Sequence, residues 1–204
     1  MEAQLLRKYF IMGSQDCDRN PVDILTEAAQ AGITAFQFRE KGPDSLMGLK
    51  KVMLGRQLRK ICYQNSIPFI VNDDLELAEV LDADGIHVGQ DDVNAEEVRA
   101  RFPDKMIGLS ISTLAELEQS PLSVIDYLGA GPIFPTGTKK DAKTPVGTKW
   151  ISQVRKQLSH LPLVGIGGIT TISARDVMEA GADGVAVISA ITKASDIQKA
   201  VNQL

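Results

Sequence analysis

Cysteine is scarce in this chain: Cys17 and Cys62 are the two present among 204 residues, and no CxxC pair occurs. A disulfide framework and a zinc cage are excluded on that count, and a reduced, cytoplasmic setting is expected. Excess positive charge is absent too. Lys and Arg number 22 against 26 Asp and Glu, for a net charge of −4, and no basic cluster is interleaved with aromatics. That argues against nucleic acid as a partner. Long apolar runs are missing: nothing approaches the roughly eighteen residues of a membrane span. The opening residues MEAQLLRKYF lack the apolar core of a signal peptide. No GxGxxG follows the first strand-like run, which disfavours a dinucleotide fold.

What the chain does have is alternation. Short β-rich runs stand at Lys8–Met12, Thr34–Phe38, Pro68–Val71, Gly85–Val88, Met106–Ser110, Val124–Leu128, Leu163–Ile166 and Gly184–Ile188. Helical periodicity with start and stop signals fills the intervals. Asn20-Pro21 opens a helix that Gly32 ends, and Pro43-Asp44-Ser45 opens a long one ending near Asn65. Another helix runs from after Thr171 to Gly181. Asn94 with Glu97, and Thr113 with Glu116, have capping-box spacing. ADGIHV (83–88) and ADGVAV (182–187) echo one another at the turn from a helix into a strand. Eight strands alternating with helices in so short a chain predict an α/β fold: one (β/α)8 TIM barrel spanning residues 1–204, with a doubly wound open sheet as the rival.

In such a barrel the loops after the strands build the active site, so polar residues at strand C-termini read as functional. Period two turns Gln37 and Arg39 inward and Phe36 and Phe38 outward onto helices. Arg39, Lys41 and Lys139 converge on the mouth with more than one phosphate's worth of positive charge. Asp73 and Asp92 follow neighbouring strands, so their oxygens suit a shared hard cation such as Mg2+, whereas Asp74 and Asp91 or Asp92 have the alternative of capping the next helices. The segment Gly129–Gly147 holds four glycines, three prolines, three threonines and three lysines without apolar periodicity, and reads as a functional loop or lid. GIGGI (165–169) opens a helix whose N–H groups suit a phosphate, with backbone and hydroxyl donors of Ile188 and Ser189 beside it. Two anion sites imply two phosphorylated substrates or one bis-phosphorylated one. His87 has two readings, satisfied core residue or site residue; His160 belongs to the other barrel end.

Taken together, QFREK (37–41), VNDD (71–74), HVGQDD (87–92), GLS (108–110), GPIFPTGTKKDAKTPVG (131–147), GIGGI (165–169) and VIS (187–189) closely resemble the thiamine phosphate synthase family, in register over nearly the whole chain. The resemblance implies a transferase that joins a hydroxymethylpyrimidine diphosphate to a thiazole monophosphate and releases pyrophosphate. It implies Gln37, Phe38, Arg39, Glu40, Lys41, Asn72, Ser110 and Lys139 as pyrimidine-diphosphate contacts, with Arg39, Lys41, Lys139 and Ser110 nearest the chemistry. Asp73 and Asp92 correspond to Mg2+ ligands. Thr136, Gly137, Thr138, Gly168, Ile188 and Ser189 correspond to thiazole-phosphate contacts; relatives carry other residues at Gly137, so its backbone alone is expected to act. On this resemblance pyrophosphate is expected to depart first and the thiazole nitrogen then to add, with no protein nucleophile. Enzymes of this kind tend to form homo-oligomers. Two further readings stand beside this one: a thiazole tautomerase, which has no need of the Asp73/Asp92 pair, and a non-catalytic phosphate-binding barrel.

Overall fold

Period-two alternation along the strands divides this protein into an inner and an outer layer. The computed structural model describes residues 3–138 and 143–204. Its strands are β1 (Lys8–Met12), β2 (Ala35–Phe38), β3 (Phe69–Asn72), β4 (Gly85–Val88), β5 (Met106–Ile111), β6 (Tyr127–Ala130), β7 (Leu163–Ile166) and β8 (Gly184–Val187). Each pairs in parallel with the next, and β8 returns to β1 through Lys8↔Val185 and Phe10↔Val187, closing the expected barrel. Around it run α1 (Pro21–Gln30), α2 (Gly48–Gln64), α3 (Leu75–Val80), α4 (Ala95–Arg101), α5 (Leu114–Gln119), α6 (Thr148–Gln157), α7 (Ala174–Glu179), α8 (Ser189–Thr192) and α9 (Ile197–Asn202). Among the described residues, no helix is long and apolar enough to cross a membrane.

Inward positions Tyr9, Ile11, Ala35, Ile70, Tyr127, Val164 and Ala186 fill the barrel. Outward positions meet the helices, where Phe10, Phe36, Phe69 and Phe38 form a file of rings with centroids 5.7, 5.8 and 6.2 Å apart. All four are buried, so truncating any one to Ala is expected to cost roughly 3–5 kcal/mol. The caps are side-chain oxygens: Asn20 accepts from the Val22 N–H, Asp74 from Leu77 and Thr113 from Glu116. Asn94 accepts from Glu96, and the return half of a box with Glu97 is not made.

Strands β2, β3, β5 and β8 differ from expectation by single residues at one or both ends, and two boundaries depart further. The helix sought at Pro43 begins at Gly48, because Gly42, Asp44 and Gly48 hold left-handed φ values of 103°, 65° and 53° that break a helical run. The sixth strand begins at Tyr127, not Val124. Residues Leu122–Val124 form a 3-10 turn, and the Val124 carbonyl accepts from Arg99 rather than from a strand.

The ADG echo has a tertiary meaning at the amino ends of the strands. Asp84 accepts from the Phe69 N–H and from Arg59; Asp183 accepts from the Leu163 N–H and from Arg155. Asp126 does the same with the Ile107 N–H and Arg99, although its local sequence IDYLG carries no echo. In each, an aspartate just before one strand fastens the start of its neighbour and orients an arginine from the surrounding helix.

Candidate active site

At the carboxyl ends of the strands the loops enclose a cavity of about 420 Å³. On one side it is lined by Gln37, Arg39, Lys41, Asn72, Asp92 and Ser110, and on the other by Thr136, Thr138, Gly168, Ile188 and Ser189. Period two accounts for Gln37 and Arg39: they follow the inward positions of β2, whereas Phe38 faces the helical layer.

The charged centre is a trio. Lys41 Nζ donates to Asp73 Oδ2 and, at 3.0 Å, to Asp92 Oδ1. The Gly89 N–H also donates to Asp92, at 2.8 Å. Burial pushes the Asp73 carboxyl up against the pull of Lys41, and the neighbouring Asp92 charge adds to the rise. At Asp92 burial acts in the same direction, but the Gly89 N–H and the ammonium outweigh it and hold the carboxyl below its ordinary value. For Lys41, burial favours the neutral amine, yet the two carboxylates prevail and raise its pKa. Two carboxylates gathered around one ammonium bring hard oxygen donors together at the mouth. Among the described residues no group of three or more His, Cys, Asp and Glu converges, so any metal held here must draw further ligands from water or a bound anion. The adjacent Asp74 caps α3 and pairs with Lys51, so the two aspartates of that loop divide the work.

The segment after β6 is clamped where it leaves the barrel. Ile133 and Phe134 N–H groups donate to the carbonyls of Ile166 and Gly167, and Val146 and Gly147 donate back to Pro132 and Ile133. Gly168, at φ 67°, sits so close to this loop that a Cβ would stand 2.5 Å from the Phe134 carbonyl oxygen. Glycine is required there for both conformation and approach. The GIGGI stretch does not itself open a helix: a Thr170–Ser173 turn intervenes and α7 begins at Ala174. The helix whose first turn reaches the cavity is α8, with Ile188 as its cap and Ser189 as its first residue.

Several expected residues stand elsewhere. Phe38 is buried in the outer layer, where its ring packs on Phe69 and against Gly55, so its side chain does not face the cavity. Glu40 turns behind the mouth and accepts from the N–H groups of Ser14 and Leu46 at 2.8 and 2.6 Å, tying the loops after β1 and β2 together. Gly137 lies between two lining threonines with open space at its Cβ position. Lys139 lies outside the described residues.

Lys143 and Ser112 line the cavity without having been among the sequence-predicted site residues. Lys143 faces the cavity and pairs with Glu116 at 2.6 Å; the Ser112 hydroxyl donates to the Gly131 carbonyl. His87 is buried with Nδ1 at 3.0 Å from the Tyr127 hydroxyl and Nε2 at 2.8 Å from Ser110 Oγ, which joins its two readings, since it is a satisfied interior residue that also lines the cavity. Tyr9 and Tyr127 are not among the sequence-predicted site residues, although inward parity with Ile11 and Gly129 marks both, and a buried phenol requires a partner.

A model of the thiamine monophosphate synthase family matches residues 8–191. Over 203 residues the chain is 60% identical to the thiamine-phosphate synthase of Oceanobacillus iheyensis, covering 100% of this chain and 98% of that one. It is 51% identical over 200 residues to the thiamine-phosphate synthase of Streptococcus agalactiae serotype III, covering 98% and 90% of the two chains. Among solved structures, the thiamine phosphate pyrophosphorylase from Pyrococcus furiosus superposes with a TM-score of 0.87 at 32% identity, over 99% of this chain and 95% of that one. With the barrel, the charged trio and the glycine-lined far wall of its cavity all in one chain, this protein belongs to the thiamine monophosphate synthase family.

Proposed function

We propose that the cavity joins a pyrimidine diphosphate to a thiazole phosphate, forming thiamine phosphate and releasing pyrophosphate. The observation that carries this reading is the Lys41 ammonium gripped by Asp73 and Asp92 at one side of a cavity whose other side is built from Gly168 and the first residue of α8. The donor set fits Mg2+, which takes one or two carboxylates and completes its shell with water and phosphate oxygens. Asp73 and Asp92 would hold it, and it would supply positive charge to the diphosphate.

The chain's own residues do the rest. Arg39 and Lys41, with Lys139, bind the diphosphate and stabilise the negative charge that grows as the bond from the ring methylene carbon to the bridging oxygen breaks. The electron pair leaves with pyrophosphate, and the methylene keeps a positive charge delocalised into the aminopyrimidine. Gln37, Asn72 and Ser110 orient that ring. Thr136, Thr138, the Gly137 backbone, Gly168, Ile188 and Ser189 hold the thiazole phosphate so that the ring nitrogen meets the methylene carbon. Ile11, Ile166 and Ile188 give the cavity an apolar wall that excludes water from the cation. Glu40 acts from behind, by fixing the loop that carries Arg39 and Lys41.

The test is pyrophosphate release by the purified protein given both substrates, with Mg2+ and then with chelator. Metal-dependent release together with thiamine phosphate is expected. Absence of release in both conditions, with thiazole phosphate still bound, would point to an isomerase or a binding protein instead.

A further inference from the structure

Beneath the cavity, five side chains form one hydrogen-bonded file across the barrel interior. Gln37 Nε2 donates to the Tyr9 hydroxyl at 2.8 Å, and the Tyr9 and Tyr127 hydroxyls are 2.8 Å apart. The Tyr127 hydroxyl then meets His87 Nδ1 at 3.0 Å, and His87 Nε2 meets Ser110 Oγ at 2.8 Å. Gln37, Tyr9, Tyr127 and His87 are all buried. The barrel is built around this file. His87, Gly108 and Tyr127 are register neighbours on β4, β5 and β6, and a Cβ on Gly108 would stand 2.1 Å from Tyr127 Cζ and 2.4 Å from His87 Nδ1. Both ends of the file, Gln37 and Ser110, line the cavity, whereas Tyr9 and Tyr127 do not.

Such a file has a direction. Each hydroxyl has one proton to give, and a neutral imidazole carries one N–H. With Gln37 donating at the head, Tyr9 donates to Tyr127, Tyr127 to His87 Nδ1, and His87 donates through Nε2 to Ser110. The Ser110 hydroxyl proton is then left for the cavity, and Gln37 keeps its carbonyl oxygen for a ligand. Reversing any one bond reverses them all: Ser110 then only accepts, and Gln37 offers its amide N–H. Burial pushes both phenols well above the ordinary tyrosine value, which keeps them as neutral donors and acceptors.

We propose that Tyr9, Tyr127 and His87 form a positioning relay that couples the hydrogen-bonding sense of Gln37 to that of Ser110, so that the cavity offers an acceptor at one end together with a donor at the other. Resting on the function proposed above, the relay is a specificity device. The sense set by Gln37 as donor complements a heteroaromatic ring that presents an amino donor beside an acceptor, and mismatches the oxo analogue, whose donor and acceptor are exchanged. Tyr9 and Tyr127 are positioning residues, since they act through Gln37, His87 and Ser110.

The relay is read on the ligand-free full chain by long-range 1H–15N correlation of the imidazoles, which distinguishes the two neutral tautomers. His87 and His160 are the two histidines to assign, and His160→Gln identifies which signal is which. The wild type is expected to show His87 protonated at Nε2 alone. Tyr9→Phe cuts the file two hydrogen bonds away from His87, and there the bias is expected to disappear, leaving both tautomers. Should that variant fail to fold, Gln37→Met, three hydrogen bonds away, carries the same expectation. A wild type protonated at Nδ1, or an unchanged His87 tautomer in the folded variant, overturns the relay whatever reaction the protein catalyses. In turnover, Tyr9→Phe is expected to raise KM for the aminopyrimidine diphosphate about tenfold, the loss of roughly one buried hydrogen bond, and to leave KM for the thiazole phosphate unchanged. It is also expected to narrow the preference for the amino over the oxo pyrimidine. An equal rise in both KM values, with the preference intact, would reduce the file to packing.

Discussion

Aspartate meets a long basic side chain at both ends of this barrel, under different terms. At the amino ends, Asp84, Asp126 and Asp183 each accept from a strand N–H at 2.8 Å. Their arginines are occupied as well: Arg99 also donates to the carbonyls of Val124, Pro103 and Lys105, and Arg155 to those of Gly181, Leu158 and Leu161. Those donors and acceptors are consumed by the backbone, and little remains for a ligand. At the carboxyl ends, Asp73 sits on a loop at a left-handed φ of 47° and meets Asp92 through the Lys41 ammonium. Among the described residues, no acceptor is paired with the guanidinium of Arg39. A charge pair woven into the backbone fastens strands, whereas one suspended between loops keeps coordination capacity for a substrate. Strained backbone at the second kind of site is tolerated because the surrounding barrel fixes it.

Mutations at the two ends should therefore separate activity from stability. The largest effect is expected at the mouth, where Asp73→Asn should lower metal-dependent pyrophosphate release by at least about 100-fold while leaving the melting temperature nearly unchanged. Lys41→Met should also lower turnover about 100-fold. Because it leaves two carboxylates facing each other, added Mg2+ should raise the melting temperature of this variant by more than it raises that of the wild type. At the amino end the pattern inverts. Arg155→Met should destabilise by about 2 kcal/mol, about 4–8 °C in melting temperature, with kcat/KM within about twofold of wild type. Loss of activity matching that of Asp73→Asn would break the comparison.

The smallest effect comes from the aspartate beside the metal-site candidate. Asp74→Ala should cost about 1 kcal/mol at neutral pH, because the carboxylate caps α3. Burial favours protonation of Asp74, but Lys51 and the Leu77 N–H outweigh it and hold the folded-state pKa below 3.8. A depressed folded-state pKa means that the stabilisation is complete above 3.8 and fades as pH falls through the lower folded value. Denaturant midpoints of wild type and Asp74→Ala, followed from pH 7 down to 3, should therefore converge at the acid end. A gap that widens on acidification would reverse the assignment.

What the sequence determined by itself was everything that follows from local period and local chemistry. Alternating strand and helix patterns predicted a barrel ahead of an open sheet, and β1, β4 and β7 begin and end where the residue runs do. Parity along β2 sent Gln37 inward and Phe36 and Phe38 outward, and a side-chain oxygen before α3 made Asp74 a cap. Polar strand ends marked the mouth. What only the tertiary structure decided depends on neighbours far apart in the chain. Lys41 meets Asp73 and Asp92 across 32 and 51 positions, and Tyr9 meets Tyr127 across 118. Glu40, in the midst of mouth residues, is turned aside by the N–H groups of Ser14 and Leu46. Asp126 joins the arginine clasps without any sequence echo to announce it. Periodicity records which face a side chain takes, because the backbone enforces it residue by residue. Strand pairing and closure select the partner it meets there. Strands β2, β3 and β4 pair side by side and bring Lys41, Asp73 and Asp92 together, and the closed barrel sets β1 across the interior from β6, where Tyr9 meets Tyr127.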